Sequence, residues 1–333
     1  MMAMDQAIPE SVQAFADGDF SHLADSFANA GFAVRLPARG MLQLSAPGRF
    51  LRRPRLLVSV GVHGDETAPI EMVAQLLADL ARTPSALAVD LMVVVGNLAA
   101  IAQGKRFIDG DLNRMFTAER GALQSMAEAE RADAIMRATA TFFGARDADK
   151  WHLDLHTAIR PSHYPTFAVV PDVIGATRRQ NLLGWLGRAG IGAAILNAKP
   201  AGTFSSYTAH MFGAASATVE LGRISPLGSN DPGRFADARS ALDTFLRSGR
   251  APVAETPPQV FRVAQELVKH SDGFRMAFDE ATQNFTAMEP GTLLAEDGEL
   301  VYRVGEETEY VVFPNPGVRP GLRAGLMVVR TSP

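Results

Sequence analysis

The feature that most narrows the fold of this chain is an apolar run that ends on a polar turn and leads into an amphipathic helix. Residues 56–62 (LLVSVGV) are apolar and β-rich and stop at His63-Gly64-Asp65-Glu66. Residues 67–82 then show helical spacing. Pro69 suits the first turn, and Ile70, Val73, Leu76, Leu77 and Leu80 share one face. Further short runs at 41–46, 91–95, 152–156, 167–170, 193–196 and 217–221 read as strands. Stretches 119–143, 180–189 and 235–246 read as helices, and the first residues are helix-prone. Apolar strands alternating with helices predict an α/β fold whose sheet is covered on both faces. Ligands in such folds sit at the carboxyl ends of strands. HGDE, the DLHT of 154–157 and the glutamate of 217–222 (ATVELG) all fall there.

The pattern changes near Arg250. Residues 250–258 (RAPVAETPP) carry three prolines and read as a linker. Beyond it, short runs at 260–264, 300–304, 310–313 and 326–330 are separated by turns such as Glu289-Pro290-Gly291 and Asp297-Gly298. The expected organisation is an α/β domain over 1–250 and a small β-rich domain over 251–333, part of which lines the pocket. The chain has no cysteine, so thiolate nucleophiles, disulfides and thiolate metal sites are excluded. A net charge of −4 argues against a general nucleic-acid binder, which needs a basic stripe. No apolar stretch approaches the ~20 residues of a membrane span, and no signal-like segment opens the chain. A soluble cytoplasmic protein without a membrane partner is expected. G-x-S-x-G, a P-loop and H-E-x-x-H are all absent.

His63 and Glu66, three residues apart on a tight turn between strand and helix, can place an imidazole nitrogen and a carboxylate on one ion. A histidine from another strand would complete a catalytic zinc set with an open position for water. Alternation puts His152, Asp154 and His156 on one strand face. His156 lies nearer the strand's carboxyl end, and His152 competes with it as a ligand. Two histidines and an acid are costly to bury on one face without a purpose, and Asp154 could orient a ligand histidine. Residues 105–116 (KRFIDGDLNRMF) offer Arg106, Asp109, Asp111, Asn113 and Arg114. Arginine forks suit carboxylates, and one could polarise a carbonyl, although charge runs are commonly solvated loops. Glu220 is an acid inside an apolar strand. If buried it has a raised pKa and suits a general base; if on an edge it faces solvent.

Together these segments resemble the succinylglutamate desuccinylase and aspartoacylase family, a branch of the zinc carboxypeptidase-like hydrolases. The resemblance is carried by GVHGDETAPIEM (61–72), GN (96–97), GKRFIDGDLNRMF (104–116), WHLDLHTAIR (151–160) and TVELGRISPLGSND (218–231). GTFSSYTA (202–209), TLLAEDGE (292–299) and EYVVFPNPGVRPGLRAGLM (309–327) extend it through the tail. HTAIR and FPNP look more like the desuccinylase branch. The resemblance implies α/β/α layers over a mixed sheet, with one Zn²⁺ per chain held by His63, Glu66 and His156. It implies Glu220 as general base, Arg106 polarising the scissile carbonyl, and Asn113 and Arg114 binding a substrate carboxylate. It implies an amidohydrolase that releases succinate and glutamate from N-succinyl-L-glutamate, the last step of arginine breakdown through succinylated intermediates. Its partner is a small N-acyl amino acid, and homo-oligomers are compatible with it. Deacylation of another N-acyl amino acid, or a metal-binding relative without turnover, are the other readings. One departure concerns the acyl group. Relatives often carry an arginine about ten residues before the catalytic glutamate, where this chain has His210. A tyrosine of aspartoacylase-type relatives is replaced by Ser206, next to Tyr207. Asn284-Phe285, in the tail, is a further candidate contact.

Overall fold

The computed structural model describes residues 7–47, 53–144, 148–279 and 281–332. The chain begins with helices α1 (Glu10–Ala16) and α2 (Ser21–Asn29) and strands β1 (Ala33–Arg35), β2 (Met41–Ser45) and β3 (Arg55–Val60). It continues through α3 (Ala68–Ala81), β4 (Asp90–Val95), α4 (Leu98–Ala102), α5 (Glu128–Phe143), β5 (Lys150–Ala158) and β6 (Phe167–Pro171). Next come α6 (Ala176–Arg188), β7 (Ala193–Asn197), α7 (Phe204–Phe212), β8 (Ala215–Arg223) and α8 (Ala236–Ser248). The rest is β: β9 (Gln259–Val268), β10 (Arg275–Met276), β11 (Thr286–Met288), β12 (Leu293–Asp297), β13 (Leu300–Arg303), β14 (Glu309–Val312) and β15 (Arg323–Arg330).

The fold is the expected mixed α/β architecture with a β-rich C-terminal part. Its large sheet has the order β1-β2-β4-β3-β5-β8-β6-β7-β9-β15-β14-β11. β4, β3, β5 and β8 run parallel, and β6, β7 and β9 run the opposite way. The C-terminal strands β9, β15, β14 and β11 extend this sheet, while β10, β12 and β13 form a separate small one. Helices cover both faces because the central strands alternate between two interiors. Trp151, Leu153 and Leu155 of β5 and Ala215, Ala217 and Val219 of β8 join the core shared with α3, α6 and α8. The opposite face of the same strands carries His152, Asp154, His156, Ser216, Thr218 and Glu220, all buried. That polar face is where the strand ends meet α7 and the 104–116 segment.

Two differences from the sequence reading have local causes. Residues 121–125 form a 3-10 turn, and the helix starts only at Glu128. Gly121 there has φ +52, outside helical space. The run read over 56–62 leaves the sheet after Val60, where Gly61 takes φ +60. Gly64 answers a different need, a close approach. A Cβ on it would lie 2.3 Å from the Ala100 carbonyl carbon and 2.4 Å from the Ile101 nitrogen. The HGDE turn is thereby pressed flat on the segment leading to Arg106, with Gly64 N donating to Arg106 O at 3.0 Å. Gly64→Ala is expected to destabilise the protein by about 1–3 kcal/mol, as overpacking against rigid backbone does. Urea unfolding measures this, and an unchanged midpoint would show that the turn can relax.

Candidate active site

Three segments converge on one buried carboxylate. The HGDE turn at the end of β3 supplies His63 and Glu66, the loop after α4 supplies Arg106, and β5 supplies His156. Glu66 Oε1 lies 2.8 Å from His63 Nδ1 and accepts from Arg106 Nη1 at 2.9 Å. Glu66 Oε2 lies 2.7 Å from His156 Nδ1 and accepts from Thr157 N at 3.1 Å. A loop from the end of β8 closes over the turn. Thr67 Oγ1 donates to Ser225 O at 2.6 Å, and Glu71 Oε1 accepts from Gly228 N and Asn230 Nδ2, each at 2.6 Å.

His63, Glu66 and His156 are buried, each with a ligand atom within 4.8 Å of the others', as a metal ion requires. Both histidines turn Nδ1 toward this point and Nε2 toward a second acid. His63 Nε2 lies 2.9 Å from Asp111 Oδ1, and His156 Nε2 lies 3.2 Å from Asp154 Oδ2. Such carboxylate–histidine pairs orient metal-binding imidazoles. Burial opposes charge on these imidazoles, yet Glu66 and Asp111 raise the pKa of His63, and Asp154 with Glu66 raises that of His156 well above its usual value. Glu66 in turn is held well below the carboxylate range, against burial, by His63 and His156. The point of convergence therefore favours positive charge. The donor set, the burial and the field all suit a divalent cation of the kind that takes nitrogen and oxygen ligands.

His152 lies outside this set. Its Nε2 is 2.8 Å from Ser59 Oγ and its Nδ1 is 2.8 Å from Thr208 Oγ1, while Ser59 Oγ donates to Asp154 Oδ1. Thr208 Oγ1 is 2.8 Å from Ser216 Oγ. A neutral imidazole with its proton on Nε2 satisfies these bonds in one direction, from Ser216 through Thr208 and His152 to Ser59 and Asp154. Burial pushes the His152 pKa down to about 4.

Glu220 is buried on β8 opposite His156, and its Oε2 has no hydrogen-bond partner. Burial, then the charge of Glu66, raises its pKa to about 7. Asn113 accepts from Phe204 N at 3.0 Å through Oδ1, and its Nδ2 lies a long 3.4 Å from His156 Nε2. Arg114 donates to Asn113 O at 2.7 Å and lies 3.8 Å from Asp111, with 41% of its side chain exposed. His210 does not join the group: its Nδ1 bonds Ser206 O at 2.8 Å within α7. Tyr207 packs against Phe212. Asn284 is buried and accepts from Phe313 N at 2.8 Å, and Phe285 packs on Phe167, the neighbour of Glu220 across the sheet. They brace the wall of the site.

A family profile described as the succinylglutamate desuccinylase/aspartoacylase catalytic domain matches residues 52–246, and the barrel-sandwich hybrid domain of the same family matches 256–331. The chain belongs to this family. It is 44% identical over 282 residues to the succinylglutamate desuccinylase of Burkholderia orbicola, covering 84% of this chain and 82% of that protein. Among solved structures, the succinylglutamate desuccinylase of Chromobacterium violaceum superposes with a TM-score of 0.79 at 37% identity, over 94% of this chain and 98% of that one. The corresponding Vibrio cholerae structure gives a TM-score of 0.83 at 30% identity, over 93% and 94%. This family membership makes the chain a hydrolase by its catalytic domain. No helix among the described residues is long and apolar enough to cross a membrane.

The sequence reading missed Glu128. Its carboxylate, at the start of α5, accepts from Ile108 N at 2.6 Å, Gly110 N at 3.1 Å and Asn97 Nδ2 at 3.3 Å. It thus shapes the loop that presents Arg106, Asp111, Asn113 and Arg114. Its only trace in sequence is an acid in the first turn of a helix. His152 yields a pH prediction. Its folded pKa lies below the unfolded value of about 6.5, so between that pH and about 4 the unfolded chain takes up the proton and the folded chain does not. Its contribution is complete above pH ~6.5 and is lost as the pH falls toward 4, on the order of 3 kcal/mol in all. Urea melts of wild type and His152→Gln at neutral and acid pH measure it. The acid loss should shrink in the variant, and an equal loss would show that the imidazole is not held neutral.

Proposed function

We propose that this protein is a zinc-dependent amidohydrolase that cleaves N-succinyl-L-glutamate to succinate and L-glutamate with one water. The observation that carries the reading is the convergence of His63, Glu66 and His156 beside Glu220, whose Oε2 has no hydrogen-bond partner. The named activity of relatives at 41–44% identity over most of the chain supports the choice of substrate. The placement of the reaction at the end of arginine breakdown through succinylated intermediates, and a cytoplasmic location, belong to the same proposal. So does a division of labour in which residues 1–250 hold the chemistry and 251–333 complete the pocket.

In this reading His63, Glu66 and His156 hold one zinc ion. When bound, zinc supplies a Lewis acid and makes water a usable nucleophile near neutral pH. Glu220 Oε2 takes the proton of the attacking water, since no other partner competes for it, and later delivers it to the leaving amide nitrogen. The Arg106 guanidinium, anchored on Glu66, faces the carbonyl oxygen as negative charge develops there. Arg114, with Asn113 beside it, binds a substrate carboxylate and aligns the amide. Asp111 and Asp154 keep both imidazoles in the Nδ1-inward orientation.

Glutamate release from N-succinyl-L-glutamate should vanish with a chelator and return with zinc. A protein that binds zinc yet hydrolyses no N-acyl amino acid would retire the enzyme reading. Glu220→Gln should keep its zinc, measured by metal analysis, and lose turnover by about 10²–10⁴-fold. Arg106→Ala should lower kcat by about 10²–10³-fold. A change confined to KM would make Arg106 a binding residue.

A further inference from the structure

Residues 105–111 form neither helix nor strand, yet they and the turn that follows present side chains to the site. Such a loop places side chains to hydrogen-bond accuracy only where its backbone is bonded to something rigid. Here the backbone is bonded to one buried carboxylate at the start of α5. Glu128 Oε1 accepts from Ile108 N at 2.6 Å, Glu128 Oε2 accepts from Gly110 N at 3.1 Å, and Asp109 N lies 3.3 Å from both oxygens. Asn97 Nδ2 donates to Glu128 Oε1 at 3.3 Å, and Asn97 N donates to Gly61 O at 2.8 Å, just ahead of the HGDE turn. The loop answers in kind, since Asp109 Oδ2 accepts from Ala127 N at 3.2 Å. Gly110 lies flat in the same clasp: a Cβ on it would be 2.3 Å from the Met126 sulfur and 2.8 Å from the Met115 Cε.

The clasp ends one residue from the site. Asp111 follows Gly110 directly, and its Oδ1 lies 2.9 Å from His63 Nε2. The same oxygen accepts from Asn113 N at 2.9 Å and so starts the 3-10 turn over 112–114. The partners of Glu128 named above are all N–H donors. An ionised carboxylate, which only accepts, can serve them together, whereas an amide of the same shape would turn an NH₂ among them. Burial opposes charge on Glu128, yet the Ile108 and Gly110 amides hold its carboxyl below its usual value. We propose that Glu128 is a positioning residue for the hydrolytic site, whose ionised carboxylate fixes the 108–110 turn and thereby seats Asp111 on His63. It acts through Asp111 and not by touching the reacting atoms. The inference rests on the metal-site part of the amidohydrolase reading.

The test is zinc affinity, measured by competition with a chromophoric chelator, in wild type, Glu128→Gln, Asp111→Ala and the double variant. Asp111→Ala should weaken zinc binding by about 10- to 100-fold, as loss of the partner of a ligand histidine does. Glu128→Gln alone should weaken it by about 10-fold, the lower end of that range. Added to Asp111→Ala, it should cost less than about 2-fold more, because the contact it supports is already gone. Glu128→Asp, which keeps the charge, should regain part of the affinity. Wild-type affinity in Glu128→Gln overturns the inference. So does a loss that repeats in full in the Asp111→Ala background, since that is general loosening. If Glu128→Gln does not fold, Glu128→Asp takes its place in the cycle under the same criteria. Hydrolysis is measured separately. A protein that shows this pattern of zinc affinities but hydrolyses no N-acyl amino acid keeps the inference and retires the amidohydrolase reading. If wild type binds no zinc, the metal reading falls and the urea midpoints of the four metal-free proteins decide. A smaller loss from Glu128→Gln in the Asp111→Ala background keeps Glu128 acting through Asp111, and an equal loss overturns it.

Discussion

Everything around the site is arranged by the burial of the Glu66 carboxylate. An ionised acid that is 2% exposed survives only if charges and donors surround it, and these come from far apart in sequence. His63 is three residues away, Arg106 forty, and His156 ninety. Meeting that demand brings the end of β3, the loop after α4 and the end of β5 to one point. The flat contact of Gly64 on residues 100–105 brings the loop close enough. The same cluster of charge is what a divalent cation needs. In the proposed zinc-bound protein, fold stability and metal affinity would draw on the same contacts, as metal sites in general couple to folding.

Behind the ligands lies a layer of polar groups that the sheet could easily have filled with aliphatic side chains. β5 shows the division within one strand: Trp151, Leu153 and Leu155 face the apolar core, and His152, Asp154 and His156 face the site. His152 and Asp154 share Ser59 of the neighbouring strand, and His152 also reaches Thr208 of α7, which lies against Ser216 of β8. A hydrogen-bonded network of this kind rigidifies the groups it holds. It fixes the rings of the metal side more tightly than packing alone, which has no preference between the two nitrogens of an imidazole.

The sequence made much of this legible, for identifiable reasons. The central strands are apolar enough, and end abruptly enough on polar turns, to reveal both the α/β class and the location of HGDE, Glu220 and His156 at strand ends. The choice of His156 over His152 also followed from position along the strand. What escaped was structure whose buried side is polar. Helix α7 (FSSYTAHMF) has a mixed inner face, because Ser205 and Thr208 point inward to Thr218, His152 and Ser216 beside the apolar Phe204 and Ala209. A periodicity rule that looks for apolar faces cannot see such a helix. Glu128 escaped because its partners are backbone N–H groups of a loop, and backbone donors leave no pattern in sequence. Of the strands after Arg250, β9, β13, β14 and β15 were visible and β10, β11 and β12 were not, and the pairing of β9 with β7 also escaped, since register between distant segments is written in complementary packing rather than in either segment alone.

That pairing carries a consequence for recognition. β9 lies in register against β7 through residues 193–196 and 259–262, and β15 lies against β9. A side chain on β15 is therefore placed by the same hydrogen-bonded sheet that places the strand ends around Glu66. A separately tethered module would swing its side chains through a range of distances from that site. Side chains held on such a sheet do not have to be ordered when a ligand arrives, and that cost is already met in the folded state. The continuous sheet thus fixes the C-terminal strands relative to the strand ends around Glu66.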